Sequence, residues 1–179
     1  MLEPSGTTYA GTLAHWHDFY LAAGGAAATL VGLLFVALSL HLRTVASQPD
    51  VKGLARVTLT DFICVLLTAL FVLVPTAQAS STGLELLAVA AVNTLRTGLI
   101  AMEAFGRERG GALHPTLLFR RFGLSLACSL GLAAVGALFV LGQPDNALGW
   151  LVGVTIALLL IALRNTWDLL VTVAESDEP

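Results

Sequence analysis

Phe19 to Leu42 reads FYLAAGGAAATLVGLLFVALSLHL, twenty-four residues without one Asp, Glu, Lys or Arg. A helix rises ~1.5 Å per residue, so this run covers the ~30 Å hydrocarbon core of a bilayer. Asp18 precedes it and Arg43 follows it. In lipid every backbone polar group must be satisfied within the segment, which makes such a run a helix.

Similar runs fill the rest of the chain. Of its 179 residues 56% are hydrophobic and 12% charged, and the mean hydropathy is +0.84. A soluble domain carries about 25% charged residues, so burial in a water-soluble fold is excluded. The spacing predicts a single transmembrane domain over 1–179, an all-α helical bundle with spans at 18–42, 54–77, 84–104, 118–141 and 147–170. Ser80-Ser81-Thr82-Gly83 and Gly142 to Asn146 read as turns between spans. The first fifteen residues hold no Lys or Arg, so a secretory leader with a basic n-region is not expected.

The basic residues set an orientation. Arg43, Lys52 and Arg56 flank the first loop, and Arg107, Arg109, Arg120 and Arg121 flank the third. Arg164 lies near the end of the fifth span, while residues 1–17 and the second and fourth loops have no Lys or Arg. The positive-inside rule places the N-terminus outside and the C-terminus in the cytoplasm. An odd number of spans requires that result.

Helices in lipid associate through close packing that small residues permit. Three ladders at four-residue spacing are candidates: Gly24, Ala28 and Gly32; Gly123, Ala127 and Gly131; Gly149, Gly153 and Ala157. Five spans offer few partners for three ladders, so a homo-oligomer is expected. The pentapeptide ALFVL occurs at 69–73 and again at 137–141, each followed by Leu-Arg at the same offset. It raises the possibility of a duplicated hairpin, against coincidence in Leu/Ala-rich sequence.

Charged residues inside a membrane are costly and are functional candidates by default. Arg96 interrupts the third span, and Asp61 lies at a similar depth in the second. The two either form a buried ion pair or face water. Asp61, Cys64 and Thr68 share one helix face. Asn93, Arg96, Ile100 and Glu103 share another, and the two stripes are candidate pore-lining or intramembrane polar residues. Arg164 and Asp168, four apart, are spaced for a surface pair.

Catalytic, cofactor and metal residues are not expected. Cys64 and Cys128 lie in apolar runs without metal-binding spacing. His15, His17, His41 and His114 form no intramembrane pair. No nucleophile elbow, P-loop or HExxH motif is present, so an enzyme is not expected. The basic loops are accounted for by topology, and nucleic-acid binding is not indicated.

The stretch WHDFYLAAGGAAATLVGLLFVALSLHL, Trp16 to Leu42, resembles the first span of a group of small bacterial polytopic membrane proteins without an assigned function. The resemblance covers about the first quarter of the chain and implies location in a bacterial inner membrane. The expected role is a homo-oligomeric channel or small-solute or ion pathway. The alternative is a non-transporting accessory protein that binds another membrane protein.

Overall fold

The computed structural model describes the backbone of residues 9–74, 78–108 and 115–176, and side chains mainly within 16–74, 78–103 and 123–174. All described secondary structure is helical: α1 (Tyr9–Leu40), α2 (Leu42–Ser47), α3 (Pro49–Leu73), α4 (Ala79–Glu108), α5 (Pro115–Val140) and α6 (Pro144–Ser176). Five of these helices are long and apolar enough to cross a membrane, over Trp16–Leu40, Val51–Leu73, Ala79–Glu103, Gly123–Val140 and Asn146–Ala174. The expected all-α bundle of five spans is present.

Several boundaries move, each for a local reason. Pro49 stands at the start of α3, where its missing N–H is no loss. The second span therefore begins at Val51 rather than at 54 and ends at Leu73. Residues 75–77, the end of the expected span, lie outside the described residues. The tetrapeptide Ser80 to Gly83 is not a turn but the first turn of α4. There Ser81 Oγ donates to Gln78 O at 2.8 Å. The first loop contains the short helix α2. Helix α6 continues to Ser176, through the first residues of the acidic tail.

The turn at Gly142 is real. Gly142 has φ +78°, its N–H bonds Phe139 O at 3.2 Å, and the Gln143 N–H bonds Leu138 O at 3.0 Å. This double bond pattern is the Schellman stop of a helix, which favours glycine at the left-handed position. Pro144 then opens α6.

Helix α3 packs against α1, α4 and α6. Helices α3, α4, α5 and α6 form a four-membered group in which α4 and α5 share the most extensive interface. Helix α1 lies on the outside of α3 and also touches α6. The α4–α5 contact is built on two glycines outside the predicted ladders. A Cβ on Gly83 would fall 2.8 Å from Gly136 O, and one on Gly136 would fall 3.0 Å from Gly83 O.

The predicted ladders are used only in part. Gly24 is buried, and a Cβ there would sit 3.0 Å from Ala69 Cβ. A Cβ on Gly131 would sit 3.3 Å from Val154 Cγ2, which ties α5 to α6. Gly123 and Ala157 are half-buried. Ala28, Gly32, Ala127, Gly149 and Gly153 are exposed on the bundle surface. The two ALFVL pentapeptides also differ in setting: Phe139 and Val72 are buried, while Val140 is exposed.

Among the described residues the core has a small apolar cluster of Val57 with Ile100 and Ala101, and two large ones stacked along the bundle. One contains Tyr20, Val65, Ala69, Leu86, Leu132, Phe139 and Leu148. The other contains Leu34, Leu54, Phe62, Ala162, Leu169 and Val173. Along α3 the second cluster reaches up to Phe62 and the first begins at Cys64. Asp61 stands at the level where they meet.

Candidate functional site

Asp61 lies ten residues into the span that begins at Val51, or ~15 Å along the helix. That is the middle of a ~30 Å hydrocarbon layer. Its side chain has no exposed surface. The sequence predicts a shallower position because it starts the span three residues later.

Three helices converge on this carboxylate. The Ser125 hydroxyl on α5 donates to Asp61 Oδ1 at 2.5 Å. Ser129, one turn along α5, donates its hydroxyl to Ser125 O at 2.9 Å. The same Ser129 oxygen accepts from Asn93 Nδ2 on α4 at 2.6 Å. The Asn93 amide also lies beside the Asp61 carboxylate. Asp61, Ser125 and Ser129 are wholly buried, and Asn93 nearly so.

Asp61 Oδ2 has no hydrogen-bond partner, and neither has Asn93 Oδ1. No cationic side chain pairs with the carboxylate among the described residues. The expected partner, Arg96, is exposed. Successive helical residues are turned by ~100°. The buried polar face of α4 therefore runs through Asn93 and Thr97, four apart, and leaves Arg96 on the outer surface. Between Asp61 and Arg96 there is no ion pair, and they do not share a water-facing surface. Glu103 is exposed as well, so the predicted α4 stripe splits between an inward Asn93 and outward Arg96 and Glu103.

On α3 the predicted stripe holds together. Cys64 and Thr68 are buried with Asp61. Thr68 is seven residues from Asp61, ~10 Å up the helix, and its hydroxyl oxygen has no partner. Other buried threonines return their hydroxyls to the carbonyl one turn back, as Thr58 does to Leu54 O at 2.8 Å and Thr155 to Leu151 O at 2.8 Å. Such bonds satisfy a hydroxyl within its own helix.

Ser125, Ser129 and Thr97 are site residues that sequence reasoning missed. Their signal was present: Ser125 and Ser129 are polar residues four apart in an otherwise apolar span, two positions out of phase with the Gly123–Ala127–Gly131 ladder. Glu85 on α4 was missed too. It is half-buried, and its Oε2 has no partner.

No metal-binding cluster of His, Cys, Asp and Glu occurs among the described residues. His17 Nδ1 lies 3.5 Å from Asp18 Oδ1 at the start of the first span, an exposed contact between neighbours. Arg164 and Asp168 do not close the surface pair their spacing allows. No protein-family model, curated protein or solved structure matches the chain, so any functional reading must come from the site itself.

Proposed function

We propose that the protein is a homo-oligomeric ion pathway of a bacterial inner membrane, with its N-terminus outside and its C-terminus in the cytoplasm. Asp61 is the residue that binds the ion, a proton or another small monovalent cation. The observation that carries this reading is a carboxylate at mid-membrane depth, wholly buried, with one hydroxyl donor and no counter-charge. An isolated carboxylate in a low-dielectric interior is too costly to persist. A bound proton or cation removes the charge. Ser125, Ser129 and Asn93 then hold the carboxylate in place, and an exchangeable ion supplies what the protein does not. Because the cluster is closed, the ion enters only when α3, α4 and α5 part.

The orientation rests on the arginines and lysine of the first and third loops. The inner-membrane location rests on the resemblance of Trp16 to Leu42 to small bacterial membrane proteins. Oligomerisation is supported by the open faces of α1 and α6, where a Cβ on Gly25, Gly32, Gly149 or Gly153 would meet no atom within 4 Å.

The test is ion flux in proteoliposomes of the wild type and Asp61→Asn. Wild-type protein carries protons or sodium down an imposed gradient, and Asp61→Asn is inert while assembling normally. Equal flux in the two proteins, or none in either, overturns the reading. The same open faces favour an accessory role if flux is absent. In that case a fixed membrane-protein partner co-purifies, and bulky residues at Gly32 and Gly153 release it.

A further inference from the structure

The outer surface between α3 and α4 carries a groove whose inner wall includes Cys64 and Asn93, beside the Asp61 site. Its upper part is apolar, has a volume of about 210 Å³, and is lined by Ile63, Leu67, Phe71, Ala88 and Val92, with Arg96 at its lower end. A second depression shares Thr60, Ile63 and Arg96 with it and adds Arg56, Leu59 and Leu99. Together they form one channel along the helix pair, with an apolar upper end and two guanidinium groups at the lower.

We propose that this groove binds one anionic phospholipid, with its phosphate on Arg56 and Arg96 and an acyl chain along Leu59, Thr60, Ile63 and Leu99. Charge complementarity identifies the occupant. Arg56 and Arg96 are both exposed, and no carboxylate pairs with either among the described residues. Arg56 stands five residues above the start of its span and Arg96 seven residues before the end of its own, ~8 Å and ~10 Å from the same membrane face. Long arginine side chains reach from that depth to the headgroup level. From Arg56 to Phe71 the groove follows fifteen residues of α3, ~22 Å. One leaflet of hydrocarbon is ~15 Å deep and Ile63 lies ~18 Å from the Val51 end of the span, so an acyl chain from the arginine side follows the groove as far as Ile63, and Leu67 and Phe71 lie in the opposite leaflet. Lys52, exposed one turn below Arg56, adds to the positive field at the mouth. A zwitterionic lipid brings the same phosphate together with a headgroup cation, which the two guanidinium groups repel.

The experiment exposes the full-length protein to vesicles of equal phosphatidylglycerol and phosphatidylcholine, extracts it in mild detergent, and counts retained lipids by native mass spectrometry. The wild type retains one phosphatidylglycerol with roughly thirtyfold preference, in line with about 1 kcal/mol for each of the two arginines near an anionic surface. Arg56→Gln/Arg96→Gln loses the preference, and Arg164→Gln, outside the groove, keeps it. Thr60→Trp, on the wall shared by both parts of the groove, fills the path of the acyl chain and releases the lipid with both arginines intact. Equal retention of the two lipids by the wild type overturns the proposal. So does an unchanged preference in Arg56→Gln/Arg96→Gln, or wild-type retention by Thr60→Trp.

Discussion

The Ser125 hydroxyl donates to Asp61 Oδ1 at 2.5 Å, joining α5 to α3 across the diagonal of the four-helix group. These two helices otherwise scarcely touch. The bond therefore has two consequences: it fixes the buried Asp61 carboxylate, and it ties opposite helices at mid-membrane.

Removing that donor should be costly. Ser125→Ala leaves Asp61 Oδ1 as bare as Oδ2, and unsatisfied buried groups cost about 1–3 kcal/mol. Asp61→Asn keeps an acceptor for Ser125 and removes the charge, so it should be milder. Unfolding in detergent of both single variants and the double variant gives the coupling. A non-zero coupling, within the ~0.5–3 kcal/mol seen for contacting residues, is expected. Strict additivity would mean the bond contributes nothing to stability.

The glycine contacts separate used from unused small residues. Gly83→Ala places a Cβ 2.8 Å from Gly136 O and from Phe139 Cβ, so α4 and α5 must move apart. The expected loss is about 1–3 kcal/mol, as for overpacked sites. Gly32→Ala meets no atom within 4 Å and should leave the protomer's stability unchanged. Thermal unfolding of the two variants side by side checks the contrast.

Gly142 should resist substitution for a different reason. No atom crowds a Cβ there, but its φ of +78° is left-handed. Gly142→Ala should cost roughly 1–2 kcal/mol, while Gly142→Asn should be tolerated better, since Asn enters this conformation more readily. Reversal of that order would show that the turn changes shape in the membrane.

The proposed orientation predicts a labelling pattern in intact cells. Gln143 and Ala46 are exposed at opposite ends of the bundle. A membrane-impermeant maleimide should label Gln143→Cys from outside and Ala46→Cys only after permeabilisation. Native Cys64 is buried and should stay silent throughout. The opposite pattern would invert the topology.

The spans were legible because length and lack of charge suffice to mark them: Phe19–Leu42 leaves a helix no solvent-facing side to hide. Asp61 was legible for the same reason, as a lone carboxylate in an apolar run. Its partners were not. A buried carboxylate suggests an arginine, and Arg96 lies at a fitting depth, but depth says nothing about rotation about the helix axis. One residue, from Arg96 to Thr97, is the difference between the lipid face and the core. The serines that do reach Asp61 look ordinary in sequence, since hydroxyls are common in membrane helices and can bond their own backbone. The Gly83–Gly136 contact was hidden similarly, because Gly83 follows two serines and a threonine and so resembles a turn.

The most direct test of the central claim is the reaction of Asp61 with a hydrophobic carbodiimide, followed by mass spectrometry of the labelled peptide. Carbodiimides add to the acid form of a carboxyl within the membrane. If Asp61 binds an exchangeable proton or cation, it is modified, the rate falls as pH rises, and sodium at fixed pH slows it further if sodium shares the site. If Asp61 stays unmodified while Glu85 reacts, or if its rate ignores both pH and sodium, the buried carboxylate is a structural group and the ion-binding account is wrong.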